Sequence, residues 1–113
     1  MPQATVSAIL RTMAGDKAER SPMADALERQ IERAISEERW TFANHFCDTL
    51  LAEEPGNLRA LLLKGDLAWH RFRDAETALA CYRRVLILGG FESSNEFVAR
   101  ARASLAQLLE RLT

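Results

Sequence analysis

Apolar residues recur along this chain at helical spacing, in blocks separated by capping and turn residues, and no stretch keeps the two-residue alternation of a half-buried strand. Ser21 followed by Pro22 reads as an N-cap with proline in the first helical position, and Leu27, Ile31, Ala34 and Ile35 mark a helix over about 22–36. After a polar break at 37–39, Trp40, Ala43, Cys47, Leu50 and Leu51 form the stripe of a second helix, stopped by Pro55 and Gly56. Asn57 caps a third, traced by Leu58, Leu61, Leu62, Gly65, Ala68, Trp69 and Phe72. Asp74 caps a fourth, with Ala75, Ala78, Leu79, Tyr82, Val85 and Leu86, ended by Gly89 and Gly90. Ser93 and Glu96 have the spacing of a capping box ahead of Phe97, Ala101, Leu105, Leu108 and Leu112, which predicts a last helix over about 94–112. Before this array, residues 1–21 form an N-terminal segment in which Val6, Ile9, Leu10 and Met13 outline a weakly amphipathic, short docked helix. The predicted class is all-α, antiparallel helix hairpins stacked as a short solenoid of about 5 to 6 helices.

Aligned with itself, the chain repeats. Leu27, Ala34 and Ile35 fall on Leu61, Ala68 and Trp69 at an offset of 34, and Ala43, Cys47, Leu50, Leu51 and Pro55 fall on Ala78, Tyr82, Val85, Leu86 and Gly90 at an offset of 35. One residue inserted in the second intra-repeat turn accounts for the difference. Two helix pairs, about 24–57 and 58–92, therefore precede a capping helix, and all of 22–113 reads as one domain. A small residue where paired helices cross lets their backbones approach, and an aromatic on the partner helix fills the space left. Gly65, Ala78 and Tyr82 supply those parts.

On these residues the chain resembles the tetratricopeptide repeat (TPR) family. Gly65, Ala78 and Tyr82 match its small, small and aromatic packing positions, and Ala43 and Pro55 match its alanine and closing proline. The first repeat departs from the pattern, with Ile31 at the usual glycine and Gln30 at the usual leucine, and the second lacks the closing proline. The resemblance implies a protein-binding module whose first helices line a concave groove. Carried over place by place, that groove holds Asp25, Glu28, Glu32, Ile35, Arg59, Leu62, Asp66, Trp69 and His70. Family members that grip acidic chaperone tails use lysine and asparagine there; Glu28, Glu32, Leu62 and Asp66 stand at the matching places, so that clamp is missing. Trp69 satisfies two readings, a groove anchor by resemblance and a core residue by its place on the stripe with Leu62 and Phe72.

Charge sharpens the partner expectation. The whole chain carries a net charge of -1, but residues 24–57 hold eight acids against three bases, a net of -5, while 58–92 hold four against six, a net of +2. A largely acidic groove with apolar spots fits a basic or amphipathic helical partner. Two repeats bury little core on their own, so the last helix from Ser94 is expected to cover one end, leaving the other to the opening segment or a second copy. Binding as an adaptor or small chaperone is the leading expectation, and an assembly subunit stable mainly as a homo- or hetero-oligomer is the alternative.

Chemistry is thinly represented. His45, Cys47, His70 and Cys81 lack zinc-site spacing, and His45 and Cys47, two apart on a helix, face different ways, while Asp66 and His70 supply only two ligands. Gly89 and Gly90 lead into Phe-Glu-Ser instead of a phosphate-binding Lys-Ser/Thr pair. Glu28 and Glu32 interleave with Arg29 and Arg33 as a solvated charged face. No catalytic residue, metal or cofactor is expected, and an enzyme or metal protein with an unrecognised site is the remote reading. The basic run Arg71, Arg73, Arg83 and Arg84 sits in a chain of pI 6.1, so nucleic acid is not the expected partner. The opening residues show neither a basic n-region nor an apolar core, and no stretch has the length and hydropathy of a membrane span, so a cytoplasmic protein is expected, with Cys47 and Cys81 as buried thiols in a reducing compartment.

Overall fold

A computed structural model describes residues 20–113, so the expected helix in the N-terminal segment lies outside the described residues. These form α1 (Pro22–Ser36), α2 (Trp40–Glu53), α3 (Leu58–His70), α4 (Ala75–Gly89) and α5 (Glu96–Leu112), with no strand among them. Three starts follow the local signals: the side chains of Ser21, Asn57 and Asp74 accept the N–H groups of Ala24, Ala60 and Thr77 at 3.0, 3.0 and 3.1 Å. The two turns within the pairs each contain one non-glycine residue in the left-handed region, Glu38 (φ 56°) and Arg73 (φ 55°), which stand 35 positions apart, as the repeat requires.

Two expectations are corrected. Phe72 does not continue α3: the helix ends at His70, and the N–H groups of Phe72 and Asp74 bond back to the carbonyls of Leu67 and Ala68, closing a tight turn that leaves Phe72 43% exposed. The inserted residue is accommodated in this turn. The Ser93–Glu96 capping box does not form either. Asn95 accepts from the N–H groups of Phe97 and Val98 at 2.8 and 3.3 Å, and Ser93 Oγ accepts from the N–H of Asn95. The cause lies in the connection, which leaves α4 through Gly90 (φ 92°) and is drawn along α5 by Arg102, whose Nη1 donates to the carbonyls of Phe91 and Ser93.

Neighbouring helices pack against one another in chain order, and α3 also meets α5. One core cluster joins α1, α2 and α3 through Leu27, Ile31, Cys47, Leu50, Ala60 and Leu67; the other joins α3, α4 and α5 through Leu61, Leu62, Tyr82, Val85, Val98 and Leu108. Because α3 contributes to both, the hairpins stack into a short all-helical, repeat-like solenoid. The close crossing expected at Gly65 is present: a Cβ there would lie 2.8 Å from Tyr82 Cε1. The Tyr82 ring is fully buried, and its hydroxyl donates to Asp66 Oδ1 at 2.6 Å.

The first helices share one burial stripe. Ala24, Leu27, Ile31 and Ala34 on α1 correspond to Leu58, Leu61, Gly65 and Ala68 on α3 and to Val98, Ala101, Leu105 and Leu108 on α5, all buried or partly buried. Thus α5 covers the end of the stack and also stands as a third first helix, displaced by 40 residues from α3 instead of 34 because of the residue inserted in the α3–α4 turn and the longer run into α5 through the 90–95 connection.

Candidate partner groove

The N-terminal ends of α1, α3 and α5 and the α2–α3 turn surround an open groove of about 1010 Å³. Asp25 and Glu28 come from α1, Glu54 from the turn, Leu58 and Arg59 from α3, and Asn95, Glu96 and Phe97 from the start of α5; Arg20 closes the edge. Four carboxylates against two guanidinium groups leave this lining with a net charge of -2. Leu58 and Phe97, both partly buried, are its apolar component.

One wall is built by Arg20. Its Nε and Nη2 donate to the two carboxylate oxygens of Glu54 at 2.8 and 2.6 Å, Nη2 also donates to Glu28 at 2.6 Å, and Asp25 lies 3.5 Å away. Asn57 Nδ2 donates to Glu54 as well. The hydrogen bonds from Arg20 hold the carboxyls of Glu28 and Glu54 below the usual range, and the same carboxylates raise the Arg20 pKa further. With only 15% of its side chain exposed, Arg20 ties the start of α1 to the end of α2 and keeps the wall in one arrangement. Asp25 and Glu96 are both exposed: Asp25 keeps only the 3.5 Å ion pair to Arg20, and Glu96, from α5, has no ion pair among the described residues.

Of the residues expected in the groove, Asp25, Glu28 and Arg59 line it. Glu32 is exposed beside it and accepts from Arg59 Nη2 at 2.9 Å. Leu62 is corrected: at 1% exposure it belongs to the core and offers a partner no surface. Ile35 packs partly buried on the first cluster, and Asp66 is engaged by Tyr82 and, at 3.6 Å, by Arg100. Trp69 packs partly buried against the second cluster with the Arg73 guanidinium 5.7 Å from its ring centre, and His70 is exposed at the end of α3. These four lie toward the far ends of their helices and do not line the groove. Arg20, Glu54, Gly56, Asn57, Leu58, Asn95, Glu96 and Phe97 were not anticipated there. The stripe shared by α3 and α5 is the signal that could have found the last three.

Elsewhere the described residues offer little chemistry. Cys47 and Cys81 are free thiols; burial pushes Cys47 up to about 12 and raises Cys81 too, so neither is poised as a thiolate. No three His, Cys, Asp or Glu side chains converge on a metal-sized site among the described residues. A recess between Ile31, Leu50 and Leu63 has about 10 Å³, room for one water molecule. No helix among the described residues is long and apolar enough to cross a membrane.

Fold and groove together define the class: a short, all-helical, repeat-like solenoid with a charged open groove along its first helices. Compared with known proteins, the chain matches no family model, no curated protein and no solved structure.

Proposed function

We propose that the chain is a tetratricopeptide-like protein-binding module, an adaptor or small chaperone of the cytoplasm, which takes a basic or amphipathic helical segment of another protein into the groove and performs no catalysis. The observation that carries this reading is the groove itself, with a net charge of -2 around Leu58 and Phe97. A helix is about 10–12 Å across and rises 5.4 Å per turn, so a volume of 1010 Å³ matches about two turns. Binding works by burial and complementarity: apolar side chains of the segment cover Leu58 and Phe97, while its cations meet the two exposed acids, Asp25, which Arg20 holds only by a 3.5 Å ion pair, and Glu96, which has no ion-pair partner among the described residues.

The test is affinity capture from native lysate with the wild-type chain and with Asp25→Arg/Glu96→Arg. Both positions are exposed, so the variant should stay folded by circular dichroism. A partner with a basic amphipathic segment should be retained by the wild type and lost by the variant. Retention of the same proteins by both would refute the groove as the binding site.

A further inference from the structure

The outer side of α4 is an unusual surface for a helix of this fold. Its inner side carries Ala78, Tyr82, Val85 and Leu86 into the core, while Arg83, Arg84, Ile87 and Leu88 face away, and Phe91 follows just past the helix end. Helical spacing stacks Ile87 one turn above Arg83 and Leu88 one turn above Arg84. Ile87 is 63% exposed and Phe91 60%, the two most exposed large apolar side chains among the described residues. Neither arginine takes part in an ion pair there. The internal repeat supplies a control. At an offset of 35 the first repeat has Asp48, Thr49, Ala52 and Glu53 in place of Arg83, Arg84, Ile87 and Leu88. A helix pair of this kind therefore needs neither the cations nor the large apolar side chains at these places, and their presence on α4 calls for a contact beyond the fold.

We propose that this ridge docks into the groove of a second copy of the chain. The inference rests on the groove reading and names a partner of the chemistry that reading requires: a basic, amphipathic helical face. The charges match, +2 on Arg83 and Arg84 against -2 in the groove, and Ile87, Leu88 and Phe91 are apolar partners for Leu58 and Phe97. An anionic membrane fits less well, since two arginines contribute only about 1 kcal/mol each at such a surface. The net charge of -5 on the first repeat would oppose that approach. Ridge and groove are different surfaces, so the contact is heterologous, and self-association then competes with capture of other proteins.

A heterologous contact makes a specific prediction for mixtures. Sedimentation velocity over a wide concentration series at low salt should show reversible association of the wild-type chain, loosened at high salt. Arg83→Glu/Arg84→Glu reverses the ridge and Asp25→Arg/Glu96→Arg reverses the groove; each should weaken association roughly tenfold or more when alone. Mixed in equal amounts, the two variants should associate again, because the intact ridge of one meets the intact groove of the other. Ile87→Ser, which leaves every charge in place, should also weaken it, and circular dichroism checks that each variant is folded. A wild type that stays monomeric throughout, association weakened by ridge reversal but unchanged by groove reversal, or a mixture that stays apart would each overturn the proposal. So would binding to vesicles of phosphatidylcholine with phosphatidylglycerol that depends on Arg83 and Arg84 without self-association. Lysate capture reports on the groove separately, so a monomeric chain that still loses its partner on groove reversal would refute self-docking alone.

Discussion

Replacing Gly65 with alanine adds one methyl group where α3 crosses α4. An ideal Cβ would stand 2.8 Å from Tyr82 Cε1, 3.1 Å from Tyr82 Cδ1 and 3.2 Å from Cys81 Cβ, so something must shift. The tyrosine ring is poorly placed to yield, being fully buried and tethered through its hydroxyl to Asp66 at 2.6 Å. Overpacking of this kind costs about 1–3 kcal/mol. Helix propensity opposes it, since alanine is better than glycine within a helix by about 0.5–1 kcal/mol. At the middle of both ranges the balance for Gly65→Ala is a net loss of about 1 kcal/mol, and Gly65→Leu, with three more carbons at the same crossing, loses more. In a domain this small about 1 kcal/mol moves the melting temperature by 4–8 °C, so the loss is readable in a thermal melt followed by far-ultraviolet circular dichroism. Tyr82→Phe should make the two changes less than additive, because it frees the ring to move. The sign decides the matter. A melting temperature unchanged or raised by Gly65→Ala would mean that propensity alone acts and that the crossing is not tight.

Trp69→Ala should cost about 2–3 kcal/mol, below the value for a fully buried tryptophan, because the side chain is only partly buried against the core; a variant as stable as the wild type would place it on the surface. Acid should weaken the fold through the Arg20 cluster. Folding lowers the pKa values of Glu28 and Glu54, so their contribution is complete above the ordinary carboxylate range of about 4.3 and fades as pH falls through the lower folded values. Arg20→Ala should melt earlier at neutral pH and depend less on pH below about 5, and parallel profiles for the two proteins would refute the clamp. Cys47 should resist thiol reagents at neutral pH until denaturant is added, and rapid labelling of the native chain would contradict its burial.

Legibility followed the range of each interaction. Ser21, Asn57 and Asp74 cap helices through bonds to residues three positions away, and the stripes they introduce are periodic, so element positions and the all-α class could be read from neighbours in sequence. Phe72 fits the apolar period but falls in the turn that absorbs the inserted residue, and periodicity alone does not show where a helix stops. Ser93 and Glu96 have the right spacing for a capping box, yet Arg102, nine residues beyond Ser93, decides the course of that connection. The groove depended still more on distance in sequence: Arg20 meets Glu54 across 34 positions, and α5 joins the lining only because its stripe continues that of α3 after a longer connection.

Charge shows how a correct sequence sum can mislead about a site. The first repeat does carry a net charge of -5, but of its eight acids only Asp25, Glu28 and Glu54 line the groove. Arg20, which lies outside both repeats, and Arg59, which belongs to the second, then bring cations to the same lining. With Glu96 added from α5 the remainder is -2, and two of the four carboxylates are already hydrogen-bonded to Arg20. Exposed charges at this density are screened over about 8–10 Å at physiological salt, so they direct approach and orientation more than they hold a partner in place. On the proposed function, most of the affinity would then come from covering Leu58 and Phe97, and the groove should prefer a segment whose apolar residues match that pair over one that is merely more basic.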